Sequence, residues 1–206
     1  MFHLRTSRPR RLALATTTAW ALVLGVIGAA PLQLVLSLTP AAAAPVSRPS
    51  WVVSATNPTK VTITGGTVKE RAAIRGYLKK WATNTHIEHV SLGKCGHSGL
   101  TTMFLTGRSR ICIQTGLKTK SLQYVVAHEI AHSAQMFAYR GLGTSYDYMT
   151  KSLSAKFGGN GMRALENAAD CGAHALTGVN TYNYYTKKCT AAQLKAARTY
   201  LAGNPV

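Results

Sequence analysis

Acid is what this chain has least of: six aspartates and glutamates stand among 206 residues, against 24 lysines and arginines, for a formal net charge of +18. Three of the six, Glu129, Glu166 and Asp170, fall inside the motifs described below, so the rest of the surface is almost purely cationic. Such a surface adheres to polyanions. Anionic cell-wall polymers or phospholipid head groups are the nearest candidates, with plain solubility as the simpler use of the charge. No recognition motif points to specific nucleic acid. Cysteine is scarce too, and Cys95, Cys112, Cys171 and Cys189 form no C-x-x-C pair. That spacing argues against a cysteine zinc knuckle, and an even count in an exported chain implies disulfides. Of the three possible pairings, Cys95 with Cys112 and Cys171 with Cys189 are favoured, because each pair is close in sequence and flanks a turn-rich stretch. There is a single long hydrophobic run and no internal repeat.

That run, "LALATTTAWALVLGVIGAAPLQLVLSL", carries no charge, follows Arg5, Arg8, Arg10 and Arg11, and leads into the small residues of "TPAAAAP". The order matches a secretory signal peptide cleaved near Ala44; Leu12 to Leu38 is also long enough for a membrane anchor. Arg10 and Arg11 fit a twin-arginine signal as well. Residues 1–44 are expected to be the signal, after which no stable membrane span remains. Loss of its four arginines lowers the net charge by four. Residues 45–67 begin rich in Pro, Ser and Thr and are expected to form an extended arm, with 68–206 as one domain with its own core.

Within that domain "TVKERAAIRGYLKKWATNT" sets Ala73, Ile74, Tyr77, Leu78 and Trp81 on one stripe, predicting a helix over 68–83. "HIEHVSL", "TTMFLT" and "RSRICIQT" are short, alternating or β-branched, and parted by "GKCGHSG" and "TGRS". They predict a small antiparallel sheet stapled by Cys95 and Cys112. Ser121 as N-cap and Gly141 as stop bound a helix over "SLQYVVAHEIAHSAQMFAYRG". A loop over "LGTSYDYMT", a short helical piece around Lys151 to Phe157 and a break at "GGNG" precede a helix over 161–177. A last helix runs from the Thr190 cap to near Gly203. The expected fold class is α+β, a small antiparallel sheet packed on a helical core.

The chemistry lies in "HEIAH". His128 and His132, at i and i+4, stack on one helical face one turn apart and can grip one metal ion. Glu129 lies about 100° around the axis, the position of a base rather than a third ligand. Catalytic zinc takes three protein ligands and keeps a fourth position for water, and "ENAAD" puts Glu166 and Asp170 on one face of a second helix. One carboxylate can bind the ion while the other works behind it. Two imidazoles, a carboxylate and an open position suit Zn2+ best, although non-haem iron uses the same set. A base between the ligands favours hydrolysis: zinc acidifies water towards a pKa of ~7, and Glu129 takes the proton and passes it to a leaving amine.

"HEIAHSAQ" followed by "ENAADC" resembles the gluzincin metallopeptidases, and more narrowly the bacterial neutral zinc metallopeptidases whose motif runs H-E-x-x-H-x-x-Q and then E-x-x-A-D-C. The resemblance covers about residues 121 to 176. It implies a zincin-like fold with the small sheet as the upper rim of the cleft. It also implies His128, His132 and Glu166 as zinc ligands, Glu129 as general base, and Asp170 as the partner that orients His128. Ala131 stands where glycine is common in that family.

Other polar residues have lesser expected roles. His174, one turn beyond Asp170, and Tyr146 and Tyr148, in the loop between the two helices, are possible oxyanion or substrate contacts. Gln135 either supports His132 or bonds locally. His86, His89 and His97 show no ligand spacing and read as structural or exposed, and Tyr182, Tyr184 and Tyr185 read as a turn over the core or a sugar-stacking patch.

Together these point to a monomeric zinc metallopeptidase, secreted or wall-associated in the manner of a Gram-positive bacterium. Its substrate is a peptide or protein, and it is an endopeptidase, since no acid is spare to hold a free amino terminus. The alternative is a cationic wall-binding structural protein with a non-catalytic metal site.

Overall fold

The computed structural model describes residues 53–142, 145–179, 185 and 188–206. The expected signal peptide and the first part of the arm lie outside the described residues, as do Tyr182 and Tyr184. All the described residues belong to one compact unit, Pro45–Val206.

The arm is not extended throughout. A single 3-10 turn at Pro58–Lys60 leads into strand β1, Thr62–Gly65, ahead of helix α1, Val68–Trp81. A capping box starts α1: the Thr67 hydroxyl accepts from the Glu70 backbone, and the Glu70 carboxylate accepts from Thr67 N at 2.8 Å. Glu70 also accepts from Gly116 N at 2.8 Å, which ties this helix to the chain 46 residues later. Ile74, Leu78 and Trp81 form the buried face of α1, as the stripe predicts.

β2 (His86–Gly93), β3 (Gly99–Met103) and β4 (Arg108–Gln114) complete a four-stranded sheet of order β1-β2-β4-β3. The sheet is mixed, not antiparallel. β1 pairs parallel with β2, and β2 parallel with β4; only β3 and β4 run antiparallel. The reason is connectivity. Helix α1 carries the chain back between β1 and β2 as a crossover, and the tight turn of Phe104 to Gly107 makes β3–β4 a hairpin at the far edge. The Cys95–Cys112 and Cys171–Cys189 disulfides both form as expected.

The motif helix, α2, spans Thr119–Tyr139. It starts two residues before the expected cap: Lys118 is the N-cap and makes no side-chain cap bond, while Ser121 lies inside the first turn. Gly141, at φ 73°, follows its end in the left-handed region that glycine favours. Every residue from 124 to 139 is buried. A helix enclosed on all sides carries no polar face. Its first half packs on the sheet and α1 through Val125, Val126 and Ile130. Its second half packs on α3 (Ser145–Phe157), α4 (Met162–Thr177) and α5 (Ala191–Leu201). α3 therefore begins within the segment read as a loop, and Tyr146 and Tyr148 are helical.

The close approach of α2 to α4 depends on small residues. A Cβ on Gly172 would lie 2.6 Å from Ala131 Cβ and 2.1 Å from the Tyr200 hydroxyl of α5. The methyl group that Ala131 carries is thus accommodated by a glycine on the facing helix. Tyr200 is fully buried there and donates to Ala168 O at 2.8 Å, and burial pushes its phenol well above the ordinary range.

Candidate metal centre

Helices α2 and α4 bring His128, His132 and Glu166 together, with a ligand atom of each within 4.8 Å of the others. His128 Nε2 lies 3.1 Å from His132 Nε2 and 3.1 Å from Glu166 Oε2, and His132 Nε2 lies 3.4 Å from the same Glu166 oxygen. Ligands on a tetrahedral ion at 2.0–2.1 Å stand about 3.3–3.4 Å apart. The triangle is within a few tenths of an ångström of that spacing.

The opposite ring atoms explain why a cation belongs here. His128 Nδ1 is 3.1 Å from Asp170 Oδ1, and His132 Nδ1 is 3.2 Å from Gln135 Oε1. Gln135 Nε2 donates to Leu165 O at 3.0 Å, so its oxygen is the atom turned to the ring. Both Nδ1 positions lie within 3.2 Å of an acceptor; a proton on each of them would turn both Nε2 lone pairs inward beside a carboxylate. Three acceptors converging in a buried pocket require positive charge between them.

Ionisation follows the same logic. Burial works against a charged His128, but Asp170 and Glu166 outweigh it and push the imidazole up to about 10. Burial likewise disfavours the two carboxylates, yet His128 and His132 hold Glu166 well below its usual range. Asp170 is held down by His128, the Tyr124 hydroxyl and the Tyr185 N–H. A proton and a metal ion therefore compete for one site. Asp170 is completely buried; it accepts from Tyr124 Oη at 2.7 Å and from Tyr185 N at 2.8 Å.

The triad opens on a cleft of about 410 Å³, which Glu129 also lines. Glu129 is 5% exposed, and its Oε2 accepts from the Thr101 hydroxyl at 2.6 Å. Thr101 belongs to β3, the edge strand, and Gly99, Leu100 and Met103 of that strand line the cleft with it.

The remaining candidates fall elsewhere. Tyr146 and Tyr148 are exposed on α3; the Tyr146 hydroxyl touches Met162 Sδ at 3.1 Å, and the Tyr148 ring packs on Tyr139. Neither lines the cleft, nor does His174. His97 and Tyr185 do line it, from the β2–β3 loop and from the segment after α4. His86 and His89 bond to Ser54 O and the Thr64 hydroxyl, away from the site.

Sequence reasoning gave Tyr124 and Thr101 no role, and read Tyr185 as a turn or sugar-stacking residue rather than as a donor to Asp170. Tyr124 carried a signal, since it stands four residues before His128 on the same helical face. Thr101 carried none, being brought in by the sheet. Comparison with known proteins adds no relative: no family model matches the chain, and neither does any curated protein or any solved structure.

Proposed function

We propose that this chain is an exported zinc-dependent endopeptidase of gluzincin type. The observation that carries this reading is the position of Glu129: a carboxylate fixed by Thr101 lines the same cleft as three converging metal donors. Two imidazoles and one carboxylate suit zinc, and such an ion, when bound, acidifies water and polarises a carbonyl.

The chain's own residues supply the rest. His128, His132 and Glu166 hold the ion, and Asp170 and Gln135 fix the tautomers of the two rings. Glu129 accepts a proton from water and returns it to the departing amine; its Oε2 is engaged by Thr101, which leaves Oε1 to carry the proton. Edge strand β3 offers unpaired backbone groups along the cleft, where an extended peptide adds as a further strand. Two disulfides fit an extracellular setting, and no helix among the described residues is long and apolar enough to cross a membrane.

Metal content and hydrolysis of casein or wall peptide, measured for three proteins, test this reading. Wild type is expected to hold about one zinc per chain and to cleave. Glu129→Gln keeps the metal and loses activity, and Glu166→Ala loses metal. Unchanged hydrolysis by Glu129→Gln would end the peptidase mechanism and leave a cationic binding protein with a structural ion.

A further inference from the structure

We propose that the cleft selects a peptide that is apolar where it meets the metal centre and acidic in its flanks. This substrate class rests on the peptidase reading and goes further by reading the charge and polarity of the walls. Among the described residues no lysine or arginine lines the cleft. Beside His97 and Ser98, the exposed side chains of its walls are apolar. Leu100 on β3 is 47% exposed, Met162 at the start of α4 is 56% exposed, and Tyr185 is 42% exposed. These three come from both walls, and methionine, being unbranched and polarisable, adapts to apolar side chains of different shape. Covering them with a substrate side chain removes apolar surface from water on both partners. A charged side chain in the same place would leave its hydration for no partner.

Two exposed cations neighbour the lining residues along the chain. Lys94 is exposed on the β2–β3 loop, three residues before His97, in a segment pinned by the Cys95–Cys112 disulfide. Arg163 is exposed beside Met162; it donates to Tyr185 O at 2.9 Å and lies 5.1 Å from the centre of that ring. The carboxylate of Glu88 absorbs Arg108 and Arg110. Among the described residues no carboxylate forms an ion pair with Lys94 or Arg163. Acidic residues on either side of an apolar centre therefore meet positive charge that no carboxylate neutralises, and basic ones meet repulsion.

Three peptides with one leucine-containing centre and flanks of aspartate, serine or lysine form the test, given to the full chain loaded with zinc. Values of kcat/KM are expected to fall in that order, by about ten-fold between the extremes at low salt, and to converge at about 0.5 M salt. Lys94→Glu compresses the ranking with metal content unchanged. A glycine-centred peptide with aspartate flanks is cleaved more slowly than the leucine-centred one, and Met162→Ala narrows that gap. Binding of the same peptides to zinc-loaded Glu129→Gln, followed by fluorescence anisotropy, reads the preference without turnover. Ranked binding without cleavage by wild type would uphold the cleft's preference and end the peptidase reading. Equal values for the three flanks, or for leucine and glycine centres, would overturn the proposal while leaving the peptidase reading intact.

Discussion

Gly99 of the edge strand and Glu129 of the motif helix occupy adjoining space: a Cβ on Gly99 would lie 2.4 Å from Glu129 Oε1 and 2.7 Å from Val125 Cγ1. Real Cβ atoms do not approach so closely, so either the strand or the carboxylate has to move. Gly99→Ala is expected to retain zinc, because none of the three donors is touched, and to lose about 100-fold in kcat through displacement of the base. Metal analysis beside steady-state kinetics checks both halves; full activity in the alanine variant would mean that the Glu129 position is unimportant.

Thr101 tests the same carboxylate from its other oxygen. Thr101→Val keeps the side chain's shape and removes the hydroxyl that Glu129 Oε2 accepts. The expected result is a fall in kcat of about ten-fold with zinc content unchanged, and recovery in Thr101→Ser. Equal loss in valine and serine variants would assign the effect to packing.

Behind the metal, Asp170 holds His128 through its Nδ1 position and is itself held by Tyr124 and Tyr185. Asp170→Asn is expected to weaken zinc affinity by about 10- to 100-fold, as loss of a partner behind a ligating histidine does. Tyr124→Phe removes one donor to Asp170 and leaves the Tyr185 N–H, so it should cost less. Competition with a chromogenic chelator gives both affinities, and unchanged binding in Asp170→Asn would mean that His128 needs no orientation from α4.

The two motif helices were legible in the sequence because each signal is local: i and i+4 spacing places His128 with His132, and Glu166 with Asp170, whatever else the chain does. The same holds for Thr190 and Gly141 at helix ends. What needed coordinates was non-local. β1 is four residues long, with only Ile63 partly buried, and it follows a Pro- and Thr-rich stretch that reads as linker. The parallel pairing of β2 with β4 depends on which strand the chain passes over, and no short pattern encodes that. His97 reads as a loop histidine until the disulfide and hairpin bring its loop to the cleft.

Acid stability carries a signature of the Glu70 clasp. Backbone hydrogen bonds from Thr67 and Gly116, with the Thr67 hydroxyl, lower its pKa from 4.5, and its burial only weakly opposes them. A depressed carboxyl adds stability above its unfolded value and loses it as pH falls through the folded one. Urea unfolding should therefore show Glu70→Gln less stable than wild type at neutral pH, with the difference closing as pH falls below the ordinary carboxylate range. A constant difference across that range would mean that the ionised carboxylate contributes nothing.

The last test joins stability to the site through Cys171 and Cys189. Their disulfide starts one residue after Asp170 and closes the segment containing Tyr185, whose N–H donates to Asp170. In the chain-entropy account, opening an 18-residue loop costs about 3 kcal/mol. It also frees Tyr185 from one end of its restraint, so Asp170 loses a donor and His128 a fixed partner. The double variant Cys171→Ala/Cys189→Ala is expected to unfold at lower urea and, while still folded, to bind zinc more weakly. Opening Cys95–Cys112 in the same way removes a clasp on β4 and the β2–β3 loop, which supply none of the three donors. It is expected to lower stability without changing zinc affinity. Equal loss of affinity in both double variants would show that zinc binding follows global stability, and that the Cys171–Cys189 bridge has no separate part in holding Asp170.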